Sequence, residues 1–182
     1  KRVNDDMKNV DDIRTRANNY MQLEEPYAGE TTVLHFLEVL RDRIGFDTLK
    51  EKVTAPLTGK KIGAYYGCLL LRPSGLLEFD DPENPAIIED FIRAIGAEPV
   101  IYPYRNECCG GYISLKEKEM SKSMSDKIMD SASGFGADML ITACPLCLYN
   151  LNKSTSGSKL PVFYFTELLA EALGVKEEAA KA

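Results

Sequence analysis

The sequence has no apolar run long enough to cross a bilayer, no cluster of basic side chains, no low-complexity tract and only one histidine. Each absence removes a class of function. The longest apolar stretch, IGAYYGCLLL at 62–71, falls well short of the about 20 residues a membrane-spanning helix needs. A net charge of −6 and a pI near 5.0 argue against nucleic acid or an anionic membrane surface as partner. Basic pairs such as Lys60–Lys61 suit solvated faces. No signal peptide is recognisable, so the expected location is the cytoplasm. The chain starts at Lys1 without a methionine, which is expected of a piece of a longer protein.

What is present is one domain's length and more, 182 residues that are 45% hydrophobic, enough to bury a core. Five cysteines are an odd number, and no export signal accompanies them, which disfavours a structural disulfide framework. Metal binding or redox chemistry is the better starting point.

From Lys60 onward, strands and helices alternate. KKIGAYYG (60–67) reads as a buried strand. NPAIIEDFIRAIG (84–96) reads as an amphipathic helix with Ile87, Ile88, Phe91, Ile92 and Ile95 inward, Asn84 as cap, Pro85 in the first turn and Gly96 as stop. A second strand is expected at 98–104. A helix at 115–133 carries a core stripe of Met120, Met124 and Ile128. A third strand is expected at 137–143, with a helix from Pro145. A fourth strand at 160–165 precedes a helix at 166–174 capped by Thr166, and the tail at 176–182 is expected to fray. Strands separated by helices imply an α/β layered domain, with a small, mainly parallel sheet of about four strands flanked by helices, over about residues 58–175.

The first 57 residues do not make a domain alone. A polar helix (3–22) and a loop (24–30) lead into VLHFLEVLRDRIG (33–45), which aligns without gaps onto VFYFTELLAEALG (162–174). In both segments a short apolar strand is expected to run into a helix ending at glycine. Strand-then-helix segments can also look alike by chance; the reading adopted is that residues 1–57 are the tail of a preceding copy of the same domain, plus a linker.

The cysteines fall at Cys68, then after 39 residues at Cys108–Cys109, then after 34 residues at Cys144, with Cys147 following at CxxC spacing. Each group directly follows an expected strand, at the sheet edge where open α/β folds bind ligands. Pro145 suits a first helical turn, which would put Cys144 and Cys147 at a helix N-terminus that favours thiolates. Gly110 and Gly111 would let main-chain N–H groups approach a negative, sulfur-ligated centre, and Gly67 could do the same before Cys68. Structural zinc and an ordinary cubane each take four ligands, so five cysteines point first to an iron–sulfur cluster of unusual shape. Zinc is the runner-up, and a thiol redox relay comes third.

The single histidine, His35, opens an expected helix and suits a packed structural role. Tyr65, Tyr66 and Tyr112 flank cysteines and are expected to pack. The loop at 72–84 is expected to be solvated and acidic.

The pattern C–x39–CC–x34–C–x2–C, with YYGC (65–68), ECCGG (107–111) and CPLC (144–147), resembles the cysteine-rich CCG domain. The contexts LTGKKIGAYYGCLLLRP, FDDPENPAIIEDFIRAIGAEPV and YAGETTVLHFLEVL are most similar to the family of heterodisulfide reductase B subunits, in the C-terminal CCG domain. The resemblance implies that Cys68, Cys108, Cys109, Cys144 and Cys147 ligate a noncubane [4Fe–4S] cluster. It further implies two facing clusters that reduce a thiol heterodisulfide such as CoM-S-S-CoB. The implied partners are a flavin-containing A subunit and an iron–sulfur C subunit. The chain departs from the family in extent, since the first CCG motif is missing. CCG domains of lactate, glycolate, glycerol-3-phosphate and succinate oxidoreductases, which serve electron transfer, are the second resemblance.

Overall fold

The computed structural model describes residues 1–153 and 159–179. Two helices open the chain, α1 (Arg2–Asn9) and α2 (Asp11–Met21), where the sequence suggested one; extended Val10 breaks them. α3 (Phe36–Glu38) runs into a π-helical stretch, Val39–Ile44, and α4 (Phe46–Lys52) follows. The layered domain then runs β1 (Lys61–Tyr65), α5 (Ser74–Leu77), α6 (Ile87–Ala94), β2 (Glu98–Val100), α7 (Lys118–Gly134), β3 (Met139–Thr142), α8 (Pro145–Asn152), β4 (Val162–Tyr164) and α9 (Phe165–Ala172). The expected tail begins with one helical turn, α10 (Lys176–Ala179), and its last three residues lie outside the described part.

All four strands are parallel, in the order β2-β1-β3-β4. The fold is therefore the expected α/β layer structure. β1 is central and buried on both faces, which is why KIGAY reads as a continuous apolar run rather than an alternating one. Ile62, Ala64 and Tyr66 face a core shared with α6, α9, α3 and α4, through Ile88, Phe91, Ile92, Leu168, Leu169, Leu37 and Leu49. Tyr65, Leu140 and Val100 face a second core with Ile128, Met129 and Ala132 of α7 and Leu151 of α8. Each fully buried Ile or Phe of α6 contributes about 1.5–3 kcal/mol.

The apolar face of α6 is as expected, but its start is not. The helix begins at Ile87, and its first N–H groups are satisfied from a distance. Asp80 accepts from Ala86 N and Ile87 N, both at 2.7 Å, and the Tyr66 hydroxyl accepts from Ile88 N at 2.9 Å. Asn84, the expected cap, instead accepts from Arg105 Nη2 at 2.6 Å. Gly96, at φ +83°, closes the helix as expected. The acidic loop at 72–84 is thus partly structural: Asp80 caps α6, and Asp81 accepts from Glu83 N and Asn84 N.

β2 holds three residues, not the expected seven. Pro103 opens a 3-10 turn, Pro103–Asn106, and the pairing of β1 with its neighbour continues only through Tyr66 N to Arg105 O at 2.8 Å. The buried stripe of α7 is rotated from the expected one. Met120 is exposed, while Ser121, Ser125, Ile128, Met129 and Ala132 face inward. The last helix is capped at Tyr164 rather than Thr166, since Glu167 Oε1 accepts from Tyr164 N at 3.3 Å.

The internal echo has a shared device. Glu38 Oε2 accepts from His35 N at 2.7 Å, as Glu167 does from Tyr164 N, and positive-φ Gly45 and Gly174 follow the two helices. The strand expected at the start of 33–45 is absent; those residues are irregular. His35 Nδ1 accepts from Leu37 N at 3.1 Å, and its ring packs on Phe79 and Phe165. Burial, more than any neighbouring charge, keeps its pKa below the ordinary imidazole value. Among the described residues, no helix is long and apolar enough to cross a membrane.

One buried carboxylate ties the β1 and β2 loops together. Glu89 of α6 accepts from the Tyr66 hydroxyl and meets Arg105 Nε at 3.1 Å, without the alignment of a hydrogen bond. Their side chains are 3% and 11% exposed, so neither charge has water to fall back on. Replacing Glu89 with alanine leaves the Arg105 guanidinium with only the neutral oxygens of Asn84 and Pro85 and is expected to cost about 3–5 kcal/mol in urea unfolding. An unchanged unfolding midpoint would show that the tie carries no stability.

Candidate metal centre

In the order β2-β1-β3-β4, the chain leaves β1 to one side and returns to the other, so the crevice beyond the carboxyl ends of β1 and β3 is the switch point. Cys68 lies three residues past β1, Cys108 and Cys109 follow the turn after β2, and Cys144 lies two residues past β3 at the N-cap of α8. All five cysteines, with Tyr66, Leu69, Leu70, Gly111, Tyr112 and Leu146, line one small cavity of about 60 Å³. The five thiols are free; Cys109 and Cys147 are buried and the other three half-buried.

Glycine makes the cradle possible at two points. A Cβ on Gly67, at φ +67°, would stand 3.0 Å from Cys147 Sγ. On Gly111 it would meet Leu146 Cγ at 2.9 Å and Cys109 Sγ at 3.4 Å. Gly110, at φ +77°, has a different constraint: a Cβ there would lie 2.8 Å from Ser121 Cα, so the loop presses on α7. Its N–H points at Cys108 Sγ, 3.3 Å away.

The sulfurs share protons. Cys109 Sγ and Cys147 Sγ are 3.6 Å apart. Hydrogen bonding with Cys147 brings the Cys109 thiol down to about 6, against the opposing effect of burial and with help from Gly111 N–H and the Asn150 side chain. The Cys144 thiol also falls to about 6, first through Cys147 and, after burial's opposing effect, through the N–H groups of Cys147 and Leu146 at the start of α8. Cys147, held between those two, is pushed up as the proton holder. Burial, then the neighbouring Cys108, raises Cys68.

Three polar side chains without a signal of their own in the cysteine motif secure the middle loop. Asn150 Nδ2 donates to the Cys109 carbonyl at 2.5 Å, and Ser125 Oγ donates to the same oxygen at 3.0 Å. Ser121 Oγ lies 3.2 Å from Asn150 Nδ2. The available signals were Asn150 one helical turn after Cys147, and serines four apart on α7. Tyr65 and Tyr66 are fully buried, whereas Tyr112, also expected to pack, is 71% exposed at the mouth of the cavity.

A family model described as a cysteine-rich domain, CCG, matches residues 62–152. The chain belongs to the CCG cysteine-rich domain family. Among its relatives, the 8-methylmenaquinol:fumarate reductase membrane anchor subunit of Wolinella succinogenes is 31% identical over 157 residues, 82% of this chain and 55% of that protein. The B subunit of the ferredoxin:CoB-CoM heterodisulfide reductase of Methanosarcina mazei is 29% identical over 158 residues, 81% of this chain and 52% of that protein. An Archaeoglobus profundus protein described as like the B subunit of heterodisulfide reductase is 28% identical over 164 residues, 84% of this chain and 55% of that protein. The CCG chain thus spans about half the length of these curated relatives.

The donor set of this CCG domain fits a thiolate-bound cluster. It offers five free thiols on one cavity, two of them readily ionised, with main-chain N–H groups on sulfur and two glycines where a side chain would intrude. Among the described residues, no group of three or more His, Cys, Asp or Glu side chains is set to hold a single metal ion.

In reduced, metal-free protein, alkylation of half-buried Cys144 is expected to rise with pH around a midpoint near 6, against about 8.5 for a free cysteine. The midpoint belongs to the trio Cys109, Cys144 and Cys147 jointly. Mass-spectrometric mapping across about pH 4–10, a range that spans both values, checks it. A Cys144 midpoint above about 8 would contradict the shared-proton arrangement.

Proposed function

We propose that this chain is an iron–sulfur, electron-transfer subunit of a multi-subunit oxidoreductase of the heterodisulfide reductase type. Cys68, Cys108, Cys109, Cys144 and Cys147 hold a noncubane [4Fe–4S] cluster, with Gly110 and Gly111 shaping the loop around it. The observation that carries the reading is the convergence of five free thiols from three separate loops on one cavity at the sheet's switch point. Zinc is the weaker fit, because four ligands complete its shell and would leave a thiol idle.

The net reaction is reductive cleavage of a disulfide, R–S–S–R′ + 2e⁻ + 2H⁺ → RSH + R′SH, with electrons from a flavin-containing A subunit in a complex that also holds an iron–sulfur C subunit. When bound, the cluster supplies electrons and a Lewis-acidic iron for sulfur. The chain's own residues do the rest. Leu69, Leu70 and Leu146 line the cavity with apolar surface beside the sulfurs. Main-chain N–H groups at the start of α8 stabilise the Cys144 thiolate, and the Gly110 N–H points at Cys108 Sγ. The Asn150–Ser125 pair holds the Cys109 carbonyl in place by two hydrogen bonds.

Residues 58–175 form the CCG iron–sulfur domain on this reading, and 1–57 belong to the end of a preceding copy. The shared Glu-to-N-cap device and the greater length of the relatives support that division. The expected cytoplasmic location belongs to the same reading. A second reading, quinol-linked electron transfer, is favoured by the 31% identity to the fumarate reductase subunit.

The test is iron and acid-labile sulfide content after reconstitution, with paramagnetic resonance after oxidation in the presence of thiols. About four irons per chain and a thiol-dependent signal are expected, and Cys108→Ala or Cys109→Ala should lose both. A cluster without thiol dependence would favour the quinol-linked reading. One zinc per chain and no labile sulfide would sink both. Gly67→Ala should also lower iron content, because its Cβ would press on Cys147 Sγ. Gly59→Ala, with φ +79° and nothing within 4 Å, serves as the control with the same backbone strain and should keep its iron.

A further inference from the structure

Beside the cysteine cavity lies a second, much larger one of about 450 Å³, between α7 and α8. Its charge is opposite to that of the chain as a whole. The protein carries 28 acidic and 22 basic residues, yet among the described residues this cavity is lined by Lys118, Lys122 and Lys153 against a single carboxylate, Glu119. Lys118 and Lys122 stand four residues apart on α7, hence on one face of it. Ser121 and Ser125, also four apart, lie buried in the wall between them. Lys153 comes from the end of α8, where its Nζ bonds the Tyr149 hydroxyl and lies 4.1 Å from the centre of that ring. The ion pairs among the described residues leave Lys118 and Lys122 out.

We propose that this cavity is an anion-binding site that takes a phosphate group carried by a small molecule. Two ammonium groups that no ion pair among the described residues engages call for a multiply charged ligand with several acceptor oxygens. A phosphate carries about −1.5 to −2 charges near neutral pH and has such oxygens. A cavity of this size also leaves room for an organic moiety, and the Tyr149 ring offers it a flat apolar wall. The site does not depend on which group the cysteines hold. Its wall is nevertheless shared with them: Ser125 and Asn150, which line the cavity, donate to the Cys109 carbonyl. A ligand seated here lies one hydrogen bond from the loop that presents Cys108 and Cys109.

The test is calorimetric titration of the full, reconstituted chain with inorganic phosphate and, separately, with glycerol phosphate, in phosphate-free buffer at fixed ionic strength. Saturable binding of glycerol phosphate is expected, at least about tenfold weaker in the Lys118→Gln/Lys122→Gln double variant, as loss of two charge-assisted contacts requires. A control, Lys50→Gln/Lys52→Gln on α4, removes the same net charge elsewhere and should leave the affinity within about twofold. Iron content should match the parent in both variants, which separates this result from any failure of the cluster assignment. Equal affinity for the two probes would show that the phosphate group alone is read, and tighter glycerol phosphate that the organic part is read too; either supports the site. No saturation with either probe, or equal weakening by the control, would overturn it. So would saturable binding of an acidic peptide in place of both phosphates.

Discussion

Crowding sulfur is the constraint on which the rest of this structure depends. Several thiols set within a few ångströms of one another resist ionising together, because each new thiolate repels the last. The structure answers with a shared proton on Cys147, main-chain N–H groups on Cys108 and Cys144, and bare backbone at Gly67 and Gly111. Such an edge is prepared for a positively charged centre, and the parallel sheet is what gathers it. β1, β2 and β3 deliver their cysteines to the same end because they run the same way.

A gathered edge must also be held still, and two polar ties do this from opposite faces of the sheet. On the α6 side, Glu89 engages Tyr66 and Arg105, coupling the loops after β1 and β2. On the α7–α8 side, Asn150 and Ser125 hold the Cys109 carbonyl. Both ties are buried, where partnered polar groups specify one geometry and unpartnered ones are costly. The small serines of α7 have a second use, since a bulkier side chain at 121 would push on the Gly110 turn.

Much of the layered fold was legible in the sequence because its signals are local. The apolar rhythm of α6, the unbroken apolar run of β1 and the cysteine spacing each follow from neighbours along the chain. What was not legible depended on distant partners. The cap of α6 comes from Asp80 and Tyr66, so the nearby Asn84 was a false lead. The stripe of α7 was misread because hydrophobicity favoured Met120, whereas the close approach of the Cys109 loop selected serine. β2 was overextended because its β-prone residues continue past Val100, while Pro103 turns the chain into a 3-10 segment. At the site, the sulfur positions could be anticipated from spacing; the supporting Asn150 and Ser125 left only a helix-spacing signal, and Glu89 left none.

The two outer strands have a consequence of their own. β2 and β4 hold three residues each, and β2 carries Pro99 at its centre, opposite Ile62. A proline has no N–H to offer a newcomer, and a margin so brief gives an incoming strand little to zip onto. The fold can therefore display a reactive, partly apolar rim at one end without its flanks becoming templates for fibrous growth.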